Sequence, residues 1–425
     1  MPGALDGIKV LEFTEIIAGP FGGMLLADMG ADVIKIEPPW GDPWRHPFPI
    51  EPGESKTFMS LNRGKRSLPL DLTKQEARDV VYRLITDIDV VIVNYRPDVP
   101  YNLGIDYETL SAINPRIVYC ENTAYGREGP HSQRPGYDII AQAMTGLMAS
   151  EDKINEGVPQ QVSSTPVADV STGIATAWSV CAALYRRERS GKGQKIETNL
   201  MASALAAQST RFMEVESVDT APRAEFYESM QLMKDAGVFY EDIHAYYRQH
   251  FDSRRGRGFS IYYRTYQAAD GALAVGCLSN PLRKRLIDLV GLRDIRFEPD
   301  FDQYSEETIA FYEELNAQME DIFKQKSVSE WLRLLDQAGV PAGPVRFVEE
   351  LVDDEQVISN GLVLELDHSV VGKVKMVGPM VKMSETPLEP TIASPALGEH
   401  TDEVLMSHGY TPEQIQRMRE LGITV

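Results

Sequence analysis

Short apolar runs alternating with helix-like stretches dominate the first third of the chain, and that alternation restricts the fold class more than any other feature. Ile8-Lys9-Val10-Leu11-Glu12-Phe13 reads as a strand, residues 14–20 as a loop and residues 21–29 as a Gly-rich apolar helix ending at Gly30. Ala31-Asp32-Val33-Ile34-Lys35-Ile36-Glu37 then reads as a second strand, stopped by Pro38-Pro39. Pro20 suits a first helical turn, where its missing N–H costs nothing. The pattern recurs in a helix expected over residues 75–86 and in strands at Val90-Val91-Ile92-Val93-Asn94 and Arg116-Ile117-Val118-Tyr119-Cys120. Such a sequence predicts an α/β fold with a mostly parallel sheet buried on both faces.

Downstream, a long helix is expected over residues 170–189, then a turn at Ser190-Gly191-Lys192-Gly193-Gln194 and a strand over residues 195–198. Residues 212–258 lose periodicity and read as a helical excursion with loops, and residues 262–277 as a hairpin turning at Asp270-Gly271. Helices follow near residues 281–291, 305–324 and 328–338, and Thr411-Pro412-Glu413-Gln414 is a capping box opening a last helix that ends at Gly422. With 425 residues, two or three domains fit. A formal charge of -21, from 42 Lys+Arg against 63 Asp+Glu, argues against nucleic-acid partners. The sequence shows no apolar run near the ~20 residues of a membrane helix and no basic-then-apolar leader. Cys120, Cys181 and Cys277 are far apart and form no Cys-x-x-Cys pair. A cytoplasmic protein without a membrane partner or disulfide framework is expected.

Several segments could carry chemistry. Ala18-Gly19-Pro20-Phe21-Gly22-Gly23 follows the first strand and Glu37 ends the second, the places of a dinucleotide loop and a ribose-binding acid. The spacing is not Gly-x-Gly-x-x-Gly and Pro20 removes a donor, so a phosphate or acyl-thioester group on the helix N-terminus suits it better. Asn62-Arg63-Gly64-Lys65-Arg66-Ser67 gathers three cations, which would suit a phosphorylated ligand or a solvated turn. Asp169 opens the long helix, where it could be an N-cap, the commonest reason for such an Asp, or a carboxylate held ionised by helix amides as a nucleophile. The seven histidines show no metal-ligand spacing and no Gly-x-Ser-x-Gly elbow is present, so no metal and no serine hydrolase are expected. Ser253-Arg254-Arg255-Gly256-Arg257-Gly258-Phe259 reads as a mobile lid or a linker.

Taken in order, these segments resemble the family III CoA-transferases, the group of formyl-CoA transferase, carnitine CoA-transferase and the 2-methylacyl-CoA racemases. The residues that carry the resemblance are residues 7–13, Ala18-Gly19-Pro20-Phe21, residues 26–37, the Asn62 to Ser67 cluster and Pro135-Gly136-Tyr137-Asp138 with Ala141-Gln142-Ala143. Ala168-Asp169, Gly191-Lys192-Gly193-Gln194, residues 339–345 and Leu397-Gly398-Glu399-His400-Thr401 complete it. The resemblance implies a Rossmann-like large domain formed by both chain termini (residues 1–205 and 345–425), a smaller α+β middle domain (residues 206–344) and an interlocked homodimer. It implies CoA transfer from an acyl-CoA to a carboxylic acid, with CoA as substrate and no permanently bound cofactor.

Asp169 then matches the aspartate that attacks the thioester, with amides at the start of its helix as oxyanion donors and Tyr137 and Asp138 as the aromatic–acid pair beside it. Ile17, Ala18, Leu70, Asp71, Leu72, Thr73, Asn94, Tyr95 and Arg96 match CoA-contacting positions, and Gly256 and Gly258 a glycine loop over the nucleophile. Pro38 and Asn102 stand where formyl-CoA transferase has arginines, with Lys65, Arg66 or Arg96 to compensate. Ile17 replaces a polar residue of the formyl/oxalate enzymes, which argues against oxalate or formate. Gly136-Tyr137-Asp138 replaces the Gly-His-Asp of the racemase branch, and tyrosine, with a pKa near 10, is a poor base. CoA transfer is therefore expected over α-proton transfer, with the 2-methylacyl-CoA racemase as the alternative.

Overall fold

Strand β1 (Lys9–Phe13) has apolar residues pointing both ways, with Leu11 and Phe13 in one core and Val10 in the other, so it belongs at the centre of a sheet covered on both faces. A computed structural model describes residues 2–151, 153–162, 165–249, 261–299, 301–302 and 305–425. Strands β2 (Asp32–Glu37) and β3 (Lys65–Pro69) extend the sheet on one side of β1, and β4 (Val90–Val93), β5 (Val118–Thr123) and β6 (Gln194–Asn199) on the other. Every neighbouring pair is parallel, and Val10 stands opposite both Val33 of β2 and Val90 of β4. The order β6-β5-β4-β1-β2-β3 reverses direction between β1 and β4. At such a switch point the loops leaving the two strands diverge and open a crevice at their carboxyl ends.

Helix α1 (Ala18–Asp28) starts three residues earlier than the sequence suggested. The Phe21 N–H makes the first helical bond, to Ile17 O at 2.8 Å, so Pro20 occupies a first-turn position where no amide bond is lost. Its glycines serve close packing. A Cβ on Gly22 would lie 2.9 Å from Thr176 Cβ, and one on Gly23 would lie 1.8 Å from a carboxylate oxygen of Glu12. Helix α2 (Gln75–Ile85) covers the opposite face with Val80, Val81 and Leu84. Helix α3 (Asp138–Met144) precedes α4 (Val167–Ser190), which buries Ala177, Val180, Ala183 and Leu184 against the sheet, and α5 (Leu200–Ala206) follows β6. By length and composition α4 alone, among the described helices, could cross a membrane, which the sequence reading overlooked. Here it is a helix of the sheet's core, and Arg187 near its end pairs with Asp89 at 2.8 Å.

The strands also carry charges into the interior. Glu12, Lys35 and Lys65 are fully buried, on β1, β2 and β3. Lys65 Nζ bonds Glu12 (2.9 Å), Pro20 O (2.7 Å) and Asn62 Oδ1 (2.9 Å). Arg66 pairs with Asp32 and Glu403, and Arg63 binds Asp28 with both guanidinium arms. The basic cluster, read as a site for a phosphorylated ligand or a solvated turn, is thus consumed by the fold, because each of its cations finds a carboxylate as the chain collapses. Glu37 meets the same end: Arg45 grips it bidentately at 2.7 and 2.9 Å and Ser67 Oγ donates to it, leaving no ribose-binding acid.

Both chain ends build this unit. Cα packing divides the chain into Met1–Met213 with Glu355–Val425, and Glu214–Asp354. Ile415, Met418 and Ile423 join the α2 face of the core. In the second unit, helix α6 (Glu216–Asp235) has no buried residue and is followed by α7 (Tyr240–Tyr247). A hairpin of β7 (Tyr263–Gln267) and β8 (Ala272–Gly276) is joined by β9 (Ala342–Pro344) over a core that includes Tyr266, Leu273, Met319, Phe323 and Trp331.

Arg45 ties the C-terminal segment to the first unit, through Pro395 O at 3.1 Å, while it neutralises Glu37 and lies 3.6 Å over the Phe58 ring. Arg45→Met should leave two buried carboxylates without their cation. The expected cost is on the order of 3–5 kcal/mol, read as a lower urea midpoint with unchanged slope.

Candidate active site

Residues 14–17 leave β1 and residues 94–97 leave β4, on either side of the switch point. Asn94 joins the two loops: its Oδ1 accepts from the Glu15 N–H at 2.8 Å and its Nδ2 donates to Glu15 O at 2.7 Å. Between them lies a cavity lined by Glu15, Ile16, Ile17, Ala18, Asn94, Tyr95 and Arg96 and closed by Arg134, Gly136, Tyr137 and Asp169. Ile16 has φ 70°, a left-handed conformation that a β-branched residue rarely adopts. Gly136 is required by contact, because a Cβ there would lie 2.6 Å from Ala124 Cβ and 2.7 Å from the Tyr125 hydroxyl.

Asp169 does not cap its helix. The N-cap is Pro166, which places Asp169 inside the first turn of α4. The cap comes from Asp138 at the head of α3: its Oδ1 accepts from the amides of Ala168 (2.7 Å) and Asp169 (3.2 Å), while the Gln142 amide holds its Oδ2. The α4 amides proposed as oxyanion donors are therefore already occupied, that of Val170 by Pro166 O at 3.0 Å. Burial pushes the Asp169 carboxyl up to about 7, and the nearby Asp138 adds to the rise. Helix amides do not hold it ionised, as the sequence had suggested, because Asp138 takes them. Among the described residues the amides of Ile17, Ala18 and Gly19, at the start of α1, have no hydrogen-bond acceptor, and Ile17 and Ala18 line the same cavity as Asp169.

A second cavity adjoins the first and shares Glu15, Tyr95 and Arg96 with it. Its far side is made by Pro38, Trp40, Leu70, Asp71, Leu72 and Thr73. Residues 70–73 form a loop after β3 rather than a strand. The chain's C-terminus shapes that loop, with Asp71 N–H donating to Ile423 O at 2.9 Å and Thr424 Oγ1 to Pro69 O at 2.6 Å. Burial keeps the Glu15 carboxyl above its usual range, with Asp42 adding to the effect, and burial likewise holds the Tyr95 phenol protonated. Arg96 is mostly exposed and, among the described residues, pairs only with Asp98, at 3.1 Å.

Of the positions singled out in the sequence, Ile17, Ala18, Asn94, Tyr95, Arg96, Tyr137 and Asp169 line the first cavity and Leu70, Leu72 and Thr73 the second. Asp138 stands behind Asp169. Lys65 and Arg66 line neither, for they are paired in the fold as described. Gly256 and Gly258 lie outside the described residues. Sequence reasoning missed Glu15, Ile16 and Arg134. Arg134 immediately precedes Pro135-Gly136-Tyr137-Asp138, whereas Glu15 and Ile16 lie between two motifs and carry no local signal.

A sequence profile described as CoA-transferase family III matches residues 5–401. The chain is 30% identical over 412 residues to succinyl-CoA:glutarate CoA-transferase of Homo sapiens, covering 94% of this chain and 85% of that one. It is 30% identical over 428 residues to a formyl-CoA:oxalate CoA-transferase of Rhodopseudomonas palustris, covering 100% of this chain and 98% of the relative. The crystal structure of a CAIB/BAIF family protein from Brucella suis is similar with a TM-score of 0.72 and 29% identity, over 96% of this chain and 100% of that one.

The raised Asp169 pKa has a consequence for stability. Between the unfolded value near 4 and about 7, the folded state holds a proton that the unfolded state has released, so this carboxyl makes stability fall as pH rises through that window. Asp169→Asn removes the penalty. Its thermal midpoint should match wild type near pH 4 and exceed it at pH 8, read by differential scanning fluorimetry across pH.

Proposed function

The chain belongs to CoA-transferase family III, and from that we propose that it moves CoA from an acyl-CoA donor to a carboxylic acid through covalent intermediates on Asp169. The observation that carries the reading is that Asp169 lines one cavity with Ile17 and Ala18, whose amides have no hydrogen-bond acceptor among the described residues. The Asp169 carboxylate attacks the thioester carbonyl, the carbon–sulfur bond breaks, and a mixed anhydride and CoA thiolate result. The thiolate attacks the aspartyl carbonyl, releasing the donor acid and leaving aspartyl-CoA. The acceptor carboxylate attacks this thioester to give a second anhydride, and the thiolate then takes the new acyl group, restoring Asp169. Each attack places negative charge on a carbonyl oxygen, which the α1 amides can receive. The second cavity, apolar at Leu70 and Leu72 and rimmed by Arg96, suits the nucleotide arm of CoA.

Tyr137 supports transfer over racemisation, since α-proton exchange needs two bases flanking the substrate and tyrosine supplies a weak one. The acids in the relatives' names are dicarboxylic (glutarate and oxalate). Arg134, which has no carboxylate partner among the described residues, suits a negatively charged acyl group. Ile17 in place of a polar residue favours an acid larger than oxalate. A homodimer of interlinked chains is part of the same proposal. Supporting it, α4 exposes Trp178 (67%) and Tyr185 (62%), and α6 buries no residue.

Intact-protein mass spectrometry after incubation with a panel of acyl-CoAs and a hydroxylamine quench tests the chemistry. Hydroxamate at Asp169, absent in Asp169→Asn, is expected. Its rate of formation should rise with pH to a plateau above about 7, because the attacking form is the carboxylate. Absence of adduct together with α-proton exchange into deuterated water would establish the racemase instead. Sedimentation velocity should show a dimer that persists on dilution.

A further inference from the structure

We infer that the buried quartet of Glu12, Lys35, Lys65 and Asp42 is a positioning device that holds the loop of residues 14–17 in the shape that turns the Ile17 and Ala18 amides towards Asp169. The inference deepens the proposed function and rests on its assignment of the cavity. All four side chains are buried at 0–1% exposure, and their charges cancel. Lys35 Nζ donates to Thr14 O at 2.7 Å, and Lys65 Nζ donates to Pro20 O at 2.7 Å, so the two ammoniums grip the carbonyls at either end of the turn. Glu12 joins them, 3.3 Å from Lys35 and 2.9 Å from Lys65. Asp42 ends the line of contacts on the Lys35 side. Its Oδ2 lies 3.0 Å from Lys35 Nζ, while its Oδ1 accepts from the Ile16 N–H at 3.3 Å and the Trp44 N–H at 2.8 Å.

Stability alone does not explain the quartet. Buried ion clusters are often matched or surpassed by apolar side chains of similar volume, because desolvation offsets their attraction. Charged groups can, however, grip backbone at defined points, which apolar side chains cannot. The grip is needed here because Ile16, at φ 70°, occupies a conformation that persists only where its surroundings impose it. With the Thr14 and Pro20 carbonyls drawn into the quartet and the Ile16 amide held by Asp42, the next amides, of Ile17 and Ala18, are left to the cavity. Gly23 completes the arrangement, since any Cβ there would strike Glu12. Asp42 and Lys35 touch no reacting atom, so they are positioning residues.

The test is a double-mutant cycle between Asp42→Ala and Ile16→Gly, read as the rate of hydroxylamine-trapped labelling of Asp169 by the acyl-CoA that labels wild type. Glycine takes positive φ without strain and so has less need of the Asp42 acceptor. Asp42→Ala should slow labelling about tenfold or more against wild type, since small misplacements of catalytic groups carry large rate losses. Against the Ile16→Gly variant the same change should slow it less than about threefold, the signature of two residues coupled through one conformation. Equal losses in the two backgrounds would overturn the inference, because a role confined to neutralising Lys35 is indifferent to residue 16. Should Asp42→Ala fail to fold, Ile16→Pro asks the same question from the loop side with all four quartet side chains in place, as proline locks φ near -65° and removes the amide that Asp42 accepts from. A tenfold loss of labelling with unchanged circular dichroism would support the inference, and wild-type labelling would overturn it. If wild type itself forms no adduct, the proposed function fails separately. The cycle is then read on the dissociation constant of acetyl-CoA by calorimetry, where unequal losses still support the inference and equal losses overturn it.

Discussion

A carboxylate at the centre of a parallel sheet, Glu12, faces two fully buried ammoniums from neighbouring strands, and the loop geometry of the switch point follows from that arrangement. Lys35 and Lys65 lie on β2 and β3, on the face where α1 crosses the sheet. Three charges on such a face would be prohibitive if any were left unpaired. They are tolerated because Glu12, Asp42 and the carbonyls of Thr14 and Pro20 satisfy them, and because the glycines of α1 let backbone approach where side chains would collide. The same contacts that make the charges tolerable also fix the path of the chain into the cavity.

Asp169 and its neighbour Asp138 divide one structural task. Most helices would use the aspartate at their start as a cap; here Asp138, from a different helix, caps α4 and leaves the Asp169 carboxyl with no amide of its own. The result is a carboxyl group raised to about 7 by burial and by the acid behind it. A more strongly ionised aspartate would be a weaker nucleophile, so a raised pKa suits the role proposed for Asp169. Position in the fold, rather than residue type, separates the two acids.

Much of the fold was legible because it rests on local pattern. Apolar alternation predicted the parallel sheet, Asp270-Gly271 the hairpin between β7 and β8, and Thr411 with Gln414 the observed capping box. The start of α1 was misjudged because a proline in the first turn can sit two residues inside the helix as easily as at its edge. Among the site residues, those in recognisable motifs gathered on two adjoining cavities. Lys65 and Arg66 did not, since a run of cations looks the same whether it faces solvent or pairs with Asp32, Glu12 and Glu403 from distant parts of the chain.

The sequence by itself determined the fold class and the family, because strand periodicity, turn chemistry and motif order are properties of neighbouring residues. Tertiary structure alone decided which acid caps α4 and which lines the cavity, and which lysines are held inside the fold. It also decided that a β-branched Ile16 would be held left-handed at the mouth of the cavity. Each of these depends on partners tens of residues away, such as Asp138 for Asp169 and Asp42 for Ile16, and no local pattern encodes a contact between segments that meet only when the sheet has formed.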